Sequence, residues 1–321
     1  MVPREIKEEV AALLGAPVAR ATRAYGGYAP SATFRLRLGD GRRVFFKGVY
    51  PTDTGAEWDL DREEEIYRGC APFMRPWAPA FFGSVRAGGW HAILLEDLGP
   101  ANALPWTAAK ARRAARSYAE FHASTYGKPL PRWLSRIEHR DLAPFWSRLA
   151  ESGELRNTAA LARRRADEAL EWLDVALPVL RANAMRLARL RPPYSFMHGD
   201  ARSDNIRLHG ALLRMFDWNF ASVGPHEFEL AAFAQAIAAE GGPRPERVAE
   251  LYAQVLPLRP LALDASIAGI AGYFADRAWR PPIPGLPRVR SIQRRQLKAS
   301  LGWAARRFAL AEPRWLISVA D

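Results

Sequence analysis

The apolar pattern of this chain changes character once, near Gly99, and that switch limits the folds open to it. Before it, Phe34, Leu36 and Leu38 alternate with Arg35 and Arg37, and Val44-Phe45-Phe46-Lys47 returns after a Gly39-Asp40-Gly41 turn. A period of two places one set of side chains on one face of a strand, and a Gly-Asp-Gly turn joins two such strands as a hairpin. Ala80 to Val85 and His91 to Glu96, around Gly88-Gly89, predict a second pair of strands. Helical spacing before the switch is confined to residues 3 to 14, which stop at Gly15, and to Trp58 to Tyr67. Beyond Gly99, Thr107 to Tyr126, Ala143 to Ser152 and Asn157 to Leu190 all carry helical periodicity. The exception is Ser195 to Phe220, where Ile206 to Leu208 and Leu212 to Phe216 predict a short hairpin turning at His209-Gly210. A helix over Phe228 to Ala239 follows, and the remainder reads as helical apart from the loop Pro281 to Pro287. The expectation is an α+β protein: a small antiparallel sheet with one inserted helix over residues 1–98, then a larger, mainly helical part over residues 99–321.

Bulk properties set further bounds. With 321 residues, 49% of them hydrophobic and 11% aromatic, the chain can bury ordinary cores and is not expected to be disordered. Cys70 is the only cysteine, which excludes an intrachain disulfide and a thiolate zinc site and suits a small buried hydrophobe. The opening MVPREIKEEVAALLG is charged where a signal peptide needs an apolar run, and no stretch reaches the length of a spanning helix. A cytoplasmic location without a membrane partner is expected. The formal charge of +12 raises the question of nucleic acid. Its basic residues are mostly arginines spread through amphipathic helices, with no zinc-finger spacing, RNP signature or basic tail, so nucleic acid is not the expected partner. Oligomeric state has no signature in the sequence.

The chemistry concentrates in His198-Gly199-Asp200-Ala201-Arg202-Ser203-Asp204-Asn205 and in Phe216-Asp217-Trp218, just after the short hairpin. An Asp followed five residues later by an Asn, on a loop, can aim one side chain at a reacting hydroxyl and the other at a metal. A further carboxylate at the end of a returning strand, Asp217, adds a second oxygen ligand of the kind Mg²⁺ prefers. Transfer of a phosphoryl group from ATP needs this combination, a carboxylate beside the attacking hydroxyl and metal ligands beside the phosphates.

The arrangement resembles the aminoglycoside phosphotransferase and choline kinase superfamily, relatives of the protein kinases. The resemblance implies a protein-kinase-like bilobal fold, a small-molecule hydroxyl acceptor, and ATP and Mg²⁺ as cofactors. It implies that Asp200 orients or deprotonates the hydroxyl, that Asn205 and Asp217 hold metal, that His198 braces the loop, and that Arg202 contacts the transferring phosphate. It further implies that Lys47, ending its strand, pairs with the phosphates and is held by a Glu of the following helix. Glu63, Glu64 and Glu65 are all candidates, and Glu63 is preferred because Ile66 and Tyr67 then fall on neighbouring apolar positions. By the same resemblance, Gly27 and Ser31 in Gly26-Gly27-Tyr28-Ala29-Pro30-Ser31 belong to the loop over the phosphates. Glu96 and Leu98 in Leu94-Leu95-Glu96-Asp97-Leu98-Gly99 offer backbone groups to adenine. Two departures stand out: Glu229-Leu230-Ala231 where the family has Asp-Leu-Ala, and Ser203-Asp204 before the Asn. For the acceptor, the arginine-rich final third favours a neutral or anionic metabolite such as a sugar derivative. An antibiotic-inactivating phosphotransferase acting on an aminoglycoside or macrolide is the alternative, and a non-catalytic basic nucleic-acid-binding protein on the same fold is the second.

Overall fold

A computed structural model describes residues 2–24, 31–50, 56–100, 103–134 and 139–321, with only the backbone at 56–58. The chain divides into two compact units, one made of residues 1–103, 198–200 and 204–221, the other of 104–197, 201–203 and 222–321.

In the first unit, β1 (Val18–Arg23), β2 (Ala32–Leu38), β3 (Arg43–Val49), β4 (Phe81–Ala87) and β5 (Trp90–Glu96) form an antiparallel sheet in the order β1-β2-β3-β5-β4. The β2–β3 and β4–β5 hairpins lie where the alternation and turns place them. Two helices share this unit with the sheet. Helix α1 (Arg4–Leu14) contributes Ile6 and Val10 to a core with Phe34, Leu36, Leu38, Val44, Phe46 and Leu94. It ends at Gly15, whose φ of 71° is the left-handed turn that a Cβ disfavours. Strand alternation puts the intervening residues Arg35, Phe45, Lys47, Ile93 and Leu95 on the opposite face. Helix α2 (Ala56–Met74) buries Leu60, Glu63, Ile66, Tyr67, Cys70 and Met74, a stripe spaced by three and four residues. It outruns the Trp58 to Tyr67 expectation by a full turn and more, because Cys70 and Met74 continue the stripe. Burial pushes the Cys70 thiol up to about 12, so it sits in the core as an inert hydrophobe.

The second unit is helical. Its helices are α3 (Ala108–Thr125), α4 (Phe145–Glu151), α5 (Leu155–Ala160), α6 (Ala166–Met185), α7 (His226–Ala239), α8 (Pro245–Ala253), α9 (Pro260–Arg277) and α10 (Val289–Arg307). Thr107 caps α3, its side chain accepting from the Lys110 N–H at 3.2 Å. The continuous helix expected over Asn157 to Leu190 is interrupted at Arg163, whose φ of 54° turns the chain between α5 and α6. No Gly or Pro marks that break. At the new start Arg165 grips Glu168 with Nε and Nη2, both at 2.6 Å.

Short strands β6 (Ser195–Met197) and β9 (Ser222–Gly224) pair within the helical unit, and β7 (Ile206–His209) and β8 (Leu212–Met215) form the predicted small hairpin within the first. Among the described residues no helix is long and apolar enough to cross a membrane. The α+β expectation of a small antiparallel sheet followed by a larger helical part holds.

The start of α7 carries a pH-sensitive element. Glu227 is fully buried and takes a two-pronged bond from Arg259 at 2.8 and 2.9 Å, while the neighbouring His226 is enclosed, its Nε2 lying 3.2 Å from the Pro257 carbonyl and 3.5 Å from Glu227 Oε1. Burial lowers the His226 pKa from the ordinary 6.5 to about 4, against the pull of Glu227. The unfolded chain therefore takes up a proton below about pH 6.5 that the folded chain refuses until about pH 4. Stability from this group is fully present above the unfolded value and is lost as pH falls through that window, by up to about 3 kcal/mol. His226→Gln should flatten the slope of urea stability between those pH values, and an unchanged slope would show that His226 is not the sensor.

Candidate active site

The first unit brings together five residues singled out by the sequence. Lys47, on the face of β3 opposite the α1 core, donates from Nζ to Glu63 Oε2 at 2.6 Å and to Asp217 Oδ1 at 2.5 Å. Among Glu63, Glu64 and Glu65, the structure thus selects Glu63, the one in the buried stripe. Burial opposes the Lys47 charge, but Glu63 and Asp217 outweigh it and raise its pKa well above the ordinary lysine value. An ammonium has three donors, and these two bonds leave one over.

Asp217 follows β8 and adopts φ 70° and ψ 60°, a left-handed conformation uncommon outside glycine. Backbone strain of this kind costs about 1–3 kcal/mol and persists only where the surroundings impose it. Those surroundings are visible. The Trp218 N–H donates to Glu63 Oε1 at 3.4 Å, and the Met215 N–H donates to the Trp77 carbonyl at 2.6 Å.

Asp200 and Asn205 meet as the five-residue spacing predicts. Asn205 Nδ2 donates both to the Asp200 carbonyl and to its Oδ2, each at 3.0 Å, which closes the loop on itself and fixes the carboxylate. His198 is fully buried and braces the segment from both ring nitrogens. Nδ1 accepts from the Asp200 N–H at 3.1 Å, so the proton sits on Nε2, which donates to the Phe216 carbonyl at 3.0 Å. The Phe216 N–H in turn donates to the Asn205 carbonyl at 3.0 Å, and the His198 ring packs 4.4 Å from that of Trp218. Gly199 between them has φ 87°, and a Cβ there would lie 2.3 Å from the Phe220 carbonyl oxygen. Only glycine fits.

Other predicted residues are placed less closely. Glu96 ends β5, and its Oε2 accepts from Arg214 at 2.5 Å and from the Ala80 N–H at 3.1 Å. Burial works against its charge, yet those two donors hold its pKa below the usual carboxylate value. Leu98 is half-buried, and its carbonyl accepts from His209 Nε2 at 3.1 Å. Ser31 is half-buried just before β2, whereas Gly27 lies outside the described residues. Arg202 is half-buried within the 201–203 segment that groups with the helical unit.

Sequence reasoning missed His122. It occupies a fully buried position on α3, and donates or accepts through both ring nitrogens, to Glu229 Oε2 and to the Tyr252 hydroxyl, each at 2.7 Å. Glu229, the residue that departs from the family pattern, thus has a buried partner inside the helical unit. A polar residue in the apolar stripe Tyr118, Phe121, His122, Thr125 was the available signal.

Metal-type ligands also cluster at Asp61, Glu64 and His91. Arg86 already bonds Asp61 at 2.6 Å, and Arg68 and Ser84 bond Glu64 at 2.7 and 2.6 Å, so both carboxylates of this group are already engaged in an ion-pair network. For Mg²⁺ the better fit is Asn205 and Asp217, an all-oxygen pair of the hard-cation type. The bonds of Asn205 Nδ2 to Asp200 leave Oδ1 as its ligand atom, and Asp217 keeps 30% of its side chain exposed.

Comparison with known proteins identifies the family and the fold. The model of the phosphotransferase enzyme family matches residues 21–261, or 241 of the chain's 321. Spectinomycin phosphotransferase APH(9)-Ia, solved with ADP and spectinomycin, superposes with a TM-score of 0.58 at 11% identity, covering 93% of this chain and 94% of that one. The macrolide 2'-phosphotransferase MphH from Brachybacterium faecium gives a TM-score of 0.54 at 14% identity, with 92% and 95% covered. A protein assigned provisionally as a fructosamine-3-kinase, from Thermobifida fusca YX-ER1, gives 0.53 at 19% identity, with 92% and 99% covered. At such identities these structures speak for the protein-kinase-like fold. No curated protein sequence matches the chain. The family match runs from β1 into α9 and takes in every motif described above, and by it the chain belongs to the phosphotransferase enzyme family, a family of small-molecule kinases.

Proposed function

We propose that this phosphotransferase moves the γ-phosphate of ATP to a hydroxyl of a small molecule, using Lys47, Glu63, Asp200, Asn205 and Asp217. The observation that carries the reading is the Lys47 ammonium shared between Glu63 and Asp217, in the same unit as the clamped Asp200–Asn205 pair. Glu63 holds Lys47 so that its remaining N–H donates to a phosphate oxygen. Asn205 and Asp217 would hold Mg²⁺, which supplies charge neutralisation at the phosphates when bound. Asp200, prevented from turning by the Asn205 amide, accepts the proton of the acceptor hydroxyl. The hydroxyl oxygen attacks the γ-phosphorus, the bond to the β–γ bridging oxygen breaks, and ADP leaves with that electron pair. Arg202 contacts the transferring phosphate, Gly27 and Ser31 cover the phosphates, and the backbone at Glu96 and Leu98 meets adenine. In this reading residues 1–98 bind the nucleotide and 99–321 supply the catalytic loop and the acceptor site.

For the acceptor, a neutral or anionic metabolite such as a sugar derivative is preferred. Much of the basic final third is neutralised, with Arg280 on Asp276, Arg306 on Glu246 and Arg307 on Asp264, each at 2.6 Å. Arg294 and Arg295 of α10 are different, being half-buried with an Nε that has no partner among the described residues, which favours an anionic group nearby. The antibiotic reading draws on the spectinomycin and macrolide enzymes that share the fold.

Calorimetric titration of MgATP tests the nucleotide site. Binding by the wild type and its loss in Lys47→Met and Asp217→Ala, with folding confirmed by circular dichroism, is the expected result. Equal binding by all three would remove these residues from the site. Antibiotic tolerance of a sensitive bacterium expressing the chain separates the two acceptor readings.

A further inference from the structure

We propose that Arg35 is a nucleotide-positioning residue, clamping the segment 96–99 so that the Leu98 N–H meets the base in one fixed orientation. This rests on the reading of that segment as the base-binding strand exit. Arg35 stands opposite Phe45 in the β2–β3 pairing, and Thr33 opposite Lys47, so Arg35 shares the sheet face that carries Lys47. A guanidinium in mid-strand would ordinarily turn to water. Here Nη1 donates to Asp97 Oδ1 at 2.9 Å and Nη2 to the Gly99 carbonyl at 2.6 Å. Asp97 Oδ1 also accepts from the Gly99 N–H at 2.9 Å, and its side chain is only 5% exposed. An enclosed, forked, charge-assisted contact fixes geometry in a way that an exposed ion pair does not.

The rest of the segment is occupied in the same manner. The Glu96 carboxylate takes Arg214, the Glu96 N–H donates to the Ala80 carbonyl at 2.8 Å, and the Leu98 carbonyl takes His209. Against this background the Leu98 N–H makes no hydrogen bond among the described residues. A half-buried backbone donor left over in an otherwise satisfied segment is suited to a ring-nitrogen acceptor, and its direction is set by the residues on either side. Asp97 precedes it and Gly99 follows it, and Arg35 holds both. The clamp therefore acts on the base end of the nucleotide and not on its phosphates.

The test is calorimetric affinity for adenosine, ADP and MgATP in the wild type, Arg35→Met and Arg35→Lys, with melting temperature as the folding control. Losing one or two charge-assisted bonds should weaken binding by about tenfold to a hundredfold. The factor should be the same for all three ligands, with turnover at saturating ATP changed by less than about twofold. Arg35→Lys, which keeps the charge and reaches one acceptor, should recover part of the loss. Asp97→Asn carries the same test should Arg35→Met fail to fold, and an intermediate weakening is expected. Affinity in Arg35→Met within twofold of wild type, or a loss that grows with the number of phosphates, would overturn the assignment. A folded wild type that binds none of the three would instead remove the base-binding reading on which it stands.

Discussion

Asp200→Asn is expected to lower turnover by about 10²–10⁴-fold, the range for removing a positioned general base, while MgATP affinity stays within about twofold. The substitution is informative because it disturbs so little else. An asparagine at 200 still offers a carbonyl oxygen to Asn205 Nδ2, and its backbone N–H still donates to His198 Nδ1, so the closed loop survives. What is lost is the capacity to take a proton from the acceptor hydroxyl. Steady-state ADP release at saturating acceptor measures this. A rate within tenfold of wild type would remove Asp200 from the proton transfer, and a matching fall in MgATP affinity would give it a binding role instead.

Gly199→Ala is expected to destabilise the protein by at least about 3 kcal/mol, combining left-handed strain with a displaced backbone. The φ of 87° disfavours any side chain, and the added methyl would lie 2.3 Å from the Phe220 carbonyl oxygen, which cannot swing aside as a side-chain tip could. Either Gly199 or the turn after Asp217 has to move, carrying His198, Asp200 or Asp217 with it. A displacement near 1 Å at reacting groups costs about 10²-fold in rate, so surviving activity should fall by that order even where the fold persists. Gly153→Ala is the control, since Gly153 has a φ of 71° with nothing within 4 Å of its added Cβ. Urea midpoints for the two variants should separate clearly. Equal midpoints would mean that the close approach at Gly199 costs nothing.

Much of this site was legible in the sequence because it depends on short-range geometry. The Asp200-to-Asn205 spacing closes a loop by itself, and the hairpin between Asn205 and Asp217 is announced by the alternation of Ile206 to Leu208 and Leu212 to Phe216 and by the turn at Gly210. Glu63 could be preferred over Glu64 and Glu65 because helical periodicity then puts Ile66 and Tyr67 on the neighbouring apolar positions, and all three are buried. Both main hairpins of the sheet were readable for the same reason.

What escaped were features set by tertiary context. Strand β1 reads Val-Ala-Arg-Ala-Thr-Arg and is half-exposed or exposed along its length, so no apolar alternation betrayed it. Strands β6 and β9 are three residues each, too short for a periodic signal. The break at Arg163 lacks glycine and proline. The contacts of His122 and Arg35 were invisible because each residue looks ordinary in its own element. A histidine in a helical stripe and an arginine on a strand gain meaning only from Glu229 and Tyr252, or from Asp97 and Gly99, which lie more than 60 residues away in each case.

The central claim is that Lys47, Glu63, Asp200, Asn205 and Asp217 form a phosphoryl-transfer centre for a hydroxyl acceptor. Mg²⁺-dependent ADP release by the purified protein, measured across sugars, amino alcohols, nucleosides and antibiotics, tests it most directly. The account predicts that at least one hydroxyl compound stimulates release in the wild type and fails to do so in Asp200→Asn. Stimulation that persists undiminished in Asp200→Asn, or a wild type that neither binds MgATP nor releases ADP with any acceptor, would contradict it.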